Sequence, residues 1–92
     1  LMKEIKEIRE EIEGLQDSLH SDGIHQFTID WVELFIEELV EQETGESRLS
    51  DETLLGSMAY RLDTLLEIAK ADTEDYLIYK RMQEIIEEGR KQ

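Results

Sequence analysis

Residues 54–69 read LLGSMAYRLDTLLEIA, and this stretch decides the fold. Its apolar residues recur every three or four positions and the intervening positions are mostly polar, which is the pattern of an amphipathic α-helix. Just upstream, Ser50 followed by Asp51 and Glu52 supplies a capping residue and two acids for the first turn. We therefore predict a central helix from Ser50 to about Lys70, against which the rest of the chain packs.

The first twenty residues carry a strict heptad seam. Its apolar members are Leu1, Ile5, Ile8, Ile12, Leu15 and Leu19. This spacing predicts one helix over residues 1–20, ended by a left-handed Gly23. Such a narrow seam buries against only one or two neighbours, and we take it as one reason to expect a homodimer.

A second helix is expected from Thr28 or Asp30 to about Glu43. Asp30 followed three residues later by Glu33 has the form of a capping box, and Gly45 stands where a helix stop is expected. The apolar residues of this helix cover more than one side, which is a second reason to expect a dimer.

The chain beyond the central helix predicts a break at Asp72 and Thr73, since both residues favour caps over helix interiors. A single kinked helix is the alternative. The fourth helix then runs to about Gly89. Together these segments predict an all-α fold, a small antiparallel bundle of four helices completed by dimerisation, with residues 1–92 forming a single acidic domain.

Composition narrows the classes of partner. The chain has 24 acidic and 10 basic residues, a net charge of −14, and no cysteine or proline. This charge repels nucleic acid and anionic lipid, so we expect neither as a direct ligand. No run of apolar residues is long enough to span a membrane, and the lack of cysteine fits a cytoplasmic protein.

The acids concentrate on the second helix. Four of them share one stripe, namely Asp30, Glu33, Glu37 and Glu41. A solvated face is one interpretation of this stripe, and docking of a basic protein or a divalent cation are the others. Trp31 lies beside it and off the main apolar face, as an interface anchor would. The predicted partner-binding residues are Trp31, Glu33, Glu37 and Glu41.

The segment Glu37-Glu38-Leu39-Val40-Glu41 is similar to the E-E-x-x-E motif of the MazG-like nucleoside triphosphate pyrophosphohydrolases, which are small all-α proteins. The resemblance implies a nucleotide substrate and Mg²⁺ held by Glu37, Glu38 and Glu41. In that family an E-x-x-D motif on the following helix completes the metal site. No glutamate of the central helix is followed by aspartate three residues later.

No other sequence pattern indicates a catalytic or ligand-binding site. His25 lies beside Ile24 in a connector, and its spacing predicts no partner for it. There is no nucleophile motif and no phosphate-binding loop, so no catalytic residue is assigned and no cofactor is expected outside the Mg²⁺ alternative. We expect a protein–protein interaction module without catalytic activity. The alternatives are a MazG-like magnesium-dependent hydrolase and an acidic nucleic-acid mimic that binds a basic protein.

Overall fold

Four α-helices and one 3₁₀ segment make up the computed structural model, which describes residues 2–91. The elements are α1 (Ile5–Glu13), the 3₁₀ segment (Gly14–His20), α2 (Gln26–Thr44), α3 (Asp51–Ile68) and α4 (Glu74–Arg90). The described residues contain no strand, and their radius of gyration is 12.8 Å. The all-α class and the four helices are confirmed. No helix in this part of the chain has the length and apolar character to cross a membrane.

The central helix α3 begins as its sequence predicts. The hydroxyl oxygen of Ser50 accepts a hydrogen bond from the Thr53 N–H at 3.1 Å, and the buried face of α3 contains Leu55, Met58 and Leu62. The predicted break is also confirmed. Thr73 caps α4 by accepting the Tyr76 N–H at 3.2 Å, so α3 and α4 are separate helices.

The prediction of one helix over residues 1–20 is wrong. The α-helix ends at Glu13, and residues 14–20 form a 3₁₀ helix. Gly14 lowers the preference for α-helix at this point, and Asp17 and Ser18 are residue types that are unfavourable in helix interiors. The heptad residues from Ile5 onward that are buried lie within this chain's own core, namely Ile5, Ile8, Ile12 and Leu19. Leu1 lies outside the described residues.

The predicted boundaries of α2 are partly wrong. The helix begins at Gln26, and no side chain of its own caps it, so the Asp30 capping box is not formed. At the other end Gly45 has φ 83° and stops the helix as predicted. Gly23 was expected to be left-handed too, but among the described residues Gly45 is the only one with positive φ.

Each helix packs against particular neighbours in the fold. Helix α1 packs on α2 and α4, and α3 packs on α4. The start of α1 reaches the end of α4, where the Lys3 N–H donates to the Gly89 carbonyl at 3.0 Å. The backbones of α2 and α3 come less close, so these two helices meet through long side chains. The bundle arrangement as a whole and the dimer stay predictions.

Candidate functional site

An arginine joins α2 to α3. The Arg61 guanidinium on α3 donates two hydrogen bonds to the Glu38 carboxylate on α2, at 2.9 and 2.7 Å. The same guanidinium lies 4.9 Å from the ring centre of Phe35, within the range of a cation–π interaction. One side chain thus makes an ion pair and an aromatic contact, and it holds the two helices at a defined separation.

Three aromatic rings follow one another along α2. Phe27 and Trp31 meet edge to face with their centres 6.3 Å apart, and Trp31 meets Phe35 in the same way at 6.1 Å. Phe35 is fully buried and Phe27 is 54% exposed. Trp31 lies between them, half-buried against the core. The sequence placed Trp31 away from the main apolar face, and its ring is partly exposed while it packs against the core.

A groove opens where the start of α2, the end of α3 and the start of α4 meet. It has a volume of about 540 Å³. Phe27 and Ile68 form apolar parts of its lining, and Ile68 is 67% exposed. Clefts of this size are typical of sites that receive a small molecule or a bulky side chain.

The lining of the groove contains a chain of hydrogen bonds between helices. The Thr28 and Tyr79 hydroxyls bond to each other at 2.7 Å. The Asp75 carboxylate accepts the His25 backbone N–H at 3.0 Å and contacts His25 Nδ1 at 2.5 Å. Asp75 is only 8% exposed. It caps α2 from another helix, which explains why α2 begins at Gln26 without a cap of its own.

The pKa values of the two buried acids in this network follow from their surroundings. Burial raises the pKa of the Asp75 carboxyl, but the hydrogen bonds from the His25 and Thr28 side chains and from the His25 backbone outweigh it, so the pKa is lowered overall. Burial raises the pKa of the Tyr79 hydroxyl, and the Asp75 charge adds to this shift. Asp75 is therefore an anion at neutral pH, and Tyr79 is uncharged.

The chemistry available here centres on His25. Because the Asp75 carboxylate can only accept, His25 Nδ1 donates to it and Nε2 remains available to another group. The His25 side chain is 79% exposed. The neighbouring Thr28 hydroxyl is buried and bonded to Tyr79, so it does not present a nucleophile to the imidazole. The arrangement holds a histidine in place at the rim of a groove.

The candidate residues of the acidic stripe have different environments. Glu33 and Glu37 are exposed, and Glu41 is half-buried. Asp30 accepts a hydrogen bond from the Gln26 side chain at 3.0 Å. Because Glu33 and Glu37 are exposed, they can contact a cationic group of a partner without any change in the buried core.

The metal ligands that the MazG-like motif would supply are not gathered on one site. Both oxygens of the Glu38 carboxylate accept hydrogen bonds from the Arg61 guanidinium, which already balances the charge that a metal ion would balance. On α3 the Asp63 carboxylate accepts a hydrogen bond from Gln83 of α4 at 2.9 Å, so it belongs to the α3–α4 side. In the part of the chain that the structure describes, no group of three or more acidic, histidine or cysteine side chains is placed to hold a metal ion.

Accessible apolar side chains lie on the part of α2 that is turned toward α3 and at the end of α3. We define the α2–α3 face as Phe27, Trp31, Leu34 and Ile68. Phe27 and Ile68 line one groove, and Leu34 lies about two helical turns along α2 from Phe27. Accessible apolar groups in this number on one side of a small chain are typical of an interaction surface.

Comparisons with protein-family models, with curated proteins and with solved structures found no match for this chain. The resemblance to the MazG-like motif therefore has no support from a family model.

Sequence reasoning missed the residues that build the groove. His25 was expected to have no partner, yet its partner Asp75 lies 50 positions away in the sequence. One local signal was present: Asp75 falls on the helix position where an apolar residue would be expected, three residues before Ile78 and four before Tyr79, both buried. A lone acid in an apolar stripe indicates a buried partner.

Proposed function

We propose that this chain is a protein-binding module without catalytic activity, and that it receives a basic protein on the α2–α3 face. The observation that carries the proposal is the adjacency of that face to the acids of α2. Asp30 lies one turn from both Phe27 and Leu34, and Glu37 lies one turn beyond Leu34. Apolar contact area with a charged border is the usual anatomy of a protein interface.

Charge supports a basic partner over a second copy. The net charge of −14 attracts a cationic surface and opposes the approach of another copy of this chain. The heptad residues that suggested a dimer, Ile5, Ile8 and Ile12 among them, are buried within the chain. These residues are therefore not free to form a dimer, and in a dimer formed through the α2–α3 face the acids of both copies would meet. Light scattering during size-exclusion chromatography separates a 10.8 kDa monomer from a dimer.

The predicted antiparallel bundle and cytoplasmic location belong to this proposal. Phe27 near the start of α2 and Ile68 at the end of α3 share a groove, as antiparallel neighbours would. The lack of cysteine suits a reducing compartment. An acidic nucleic-acid mimic would differ only in its partner, and competition with DNA for the bound basic protein would identify it.

Trp31 offers a direct test because it is the single tryptophan. A Trp-free amphipathic peptide of lysine and leucine is titrated while the Trp31 emission is recorded. We expect saturable binding that weakens with added salt, and none by the same peptide with glutamate in place of lysine. Absence of saturable binding would contradict the proposal.

The role of the acidic stripe is tested by charge reversal. Glu37→Lys removes an exposed acid beside the face, and Glu10→Lys makes the same change on α1, which packs on α2 and α4. We expect Glu37→Lys to weaken peptide binding more than Glu10→Lys does. Equal effects would mean that net charge alone attracts the peptide.

The enzyme alternative has its own assay. Nucleoside triphosphates are incubated with the protein and Mg²⁺ or Mn²⁺, and released pyrophosphate is measured. We expect no release above the uncatalysed background, because Glu38 is held by Arg61. Turnover that is lost in Glu37→Gln and Glu41→Gln would overturn the assignment as a non-catalytic module.

A further inference from the structure

We infer that the groove beside Phe27 and Ile68 is the anchor pocket of this interface, and that it receives one bulky apolar side chain from a basic amphipathic helix of the partner. The inference rests on the proposed function and adds the kind of segment that binds and the place where it is anchored. An amphipathic helix laid into an apolar groove is a recurrent form of peptide recognition.

The polar groups deep in the groove favour an apolar occupant. The Thr28 and Tyr79 hydroxyls are bonded to each other, and Asp75 is bonded to His25. An apolar side chain can therefore enter without leaving a buried donor or acceptor unpaired. An unpaired buried polar group is the main free-energy cost when an apolar group binds over polar ones. A polar ligand would have to compete with hydrogen bonds that already exist.

The groove is also held in shape before anything binds. The Asp75 carboxylate connects the first turn of α4 to the start of α2, and Tyr79 connects the next turn of α4 to Thr28. Both links cross between helices, and Asp75 and the Thr28–Tyr79 pair are buried. A preformed pocket loses little conformational entropy when a ligand binds, and this is favourable at an interface hot spot.

The charges around the groove specify cations next to the anchor. Asp30 lies one turn from Phe27, and Glu67 adjoins Ile68 in the chain. Lys70 at the rim is a cation, and it favours an orientation in which the basic residues of the partner lie toward the α2 acids.

The geometry of the α2–α3 face then sets the pattern of the bound helix. With its anchor in the groove, a helix running along α2 meets Leu34 at a later turn, while its edge faces Asp30 and Glu37. The matching sequence has apolar residues at i, i+4 and i+7, with lysine or arginine on one flank.

The test separates an anchor from general electrostatic attraction. Ile68→Asp adds a negative charge and removes apolar surface at the groove. If charge attraction alone holds the basic peptide, this variant should bind it more tightly. If the groove is an apolar anchor site, the variant should bind it more weakly. Leu77→Asp makes the same change on α4, where Leu77 is 62% exposed, and it serves as the matched control. Circular dichroism checks that both variants are folded.

The probe is a Trp-free lysine-rich amphipathic peptide with one phenylalanine as the anchor, and a second peptide has alanine there. We expect the alanine peptide to bind the unmodified protein roughly ten- to a hundredfold more weakly, as loss of one buried aromatic implies. Ile68→Asp should weaken the phenylalanine peptide by roughly tenfold or more, and it should reduce the difference between the two peptides.

The outcomes distinguish this inference from the proposed function. If the peptides bind the unmodified protein but Ile68→Asp binds them equally well or more tightly, the anchor pocket is overturned and the basic-partner proposal stands. If neither peptide binds the unmodified protein, the basic-partner proposal itself is overturned. Weakening by Ile68→Asp beyond that by Leu77→Asp, together with loss of the phenylalanine preference, supports the anchor pocket.

Discussion

Replacing Gly89 with alanine would place a methyl group inside the side chain of Ile8. A Cβ atom at Gly89 would lie 2.6 Å from Ile8 Cδ1 and 2.9 Å from Ile8 Cγ1, whereas carbon atoms in contact are about 3.5–4.0 Å apart. Ile8 is fully buried, so it cannot turn into solvent to make room. The methyl group must push α1 away from α4 or force Ile8 out of its rotamer.

The expected loss of stability follows from two opposing terms. Overpacking of a filled core costs about 1–3 kcal/mol, and glycine to alanine in a helix returns up to about 1 kcal/mol. Gly89 lies in the last turn of α4, where less of this gain applies than in a helix interior, so we expect Gly89→Ala to be destabilised by about 1–2 kcal/mol. Gly56 in α3 is the matched control, because its nearest neighbour would be an Arg90 side-chain nitrogen at 3.9 Å. Gly56→Ala should gain up to about 1 kcal/mol.

Urea and thermal unfolding of the two variants provide the measurement, with a melting shift of roughly 4–8 °C for each kcal/mol. Ile8→Val removes the Cδ1 atom that clashes and alone costs about 0.5–1.5 kcal/mol. Combined with Gly89→Ala it should cost less than the two changes separately. Equal stability of Gly89→Ala and the unmodified protein, or simple additivity of the two changes, would refute the predicted clash.

Three more predictions concern the cross-helix contacts. The pKa of Asp75 lies below its usual 3.8 in the folded chain. Its stabilising effect is therefore complete above that value and is lost as the pH falls through the folded pKa. Between about pH 5 and about pH 2, the free energy of unfolding measured in urea should fall less in Asp75→Asn than in the unmodified protein. Tyr79→Phe should lower the free energy of unfolding by about 1 kcal/mol, since Thr28 loses its bonded hydroxyl; in a Thr28→Val background the same change should cost less. Arg61→Met should cost about 0.5–1 kcal/mol, because the Glu38 ion pair is partly exposed, and added salt should reduce the difference from the unmodified protein.

Local signals in the sequence determined much of the secondary structure. The Ser50 cap and the Gly45 stop lie where their residue types predict, since each depends on atoms within a few positions along the chain. The separation of α3 from α4 could be predicted for the same reason, because Thr73 caps the helix that follows it. In each case the partner atoms are close in sequence.

One of the two missed features depends on a distant residue. The start of α2 is set by the Asp75 carboxylate of α4, which no local capping pattern reports. The 3₁₀ segment has a local cause, because Gly14 lowers the preference for α-helix while the heptad spacing of the apolar residues still favours one. A long-range contact therefore overrides local preference at the first place, and a local residue outweighs the periodicity at the second.

The candidate site was visible only in part. Trp31 and Leu34 stand off the main apolar stripe of α2, and that hint led to a second contact surface. The contribution of Ile68 was not predicted, because nothing near Ile68 in the sequence shows that it shares a groove with Phe27 and is 67% exposed. Which apolar residue of a stripe remains at the surface depends on where the neighbouring helix ends.

The contact between the two ends of the fold has a consequence for protein synthesis. The Lys3 N–H bonds to the Gly89 carbonyl, and Ile8 packs over Gly89. Helix α1 leaves the ribosome before α4 does, yet part of the surface that buries α1 is the last turn of α4. During translation Ile8 is therefore incompletely covered until Gly89 has been added and has left the ribosome. A ribosome stalled before Gly89 would leave Ile8 accessible to chaperones and proteases.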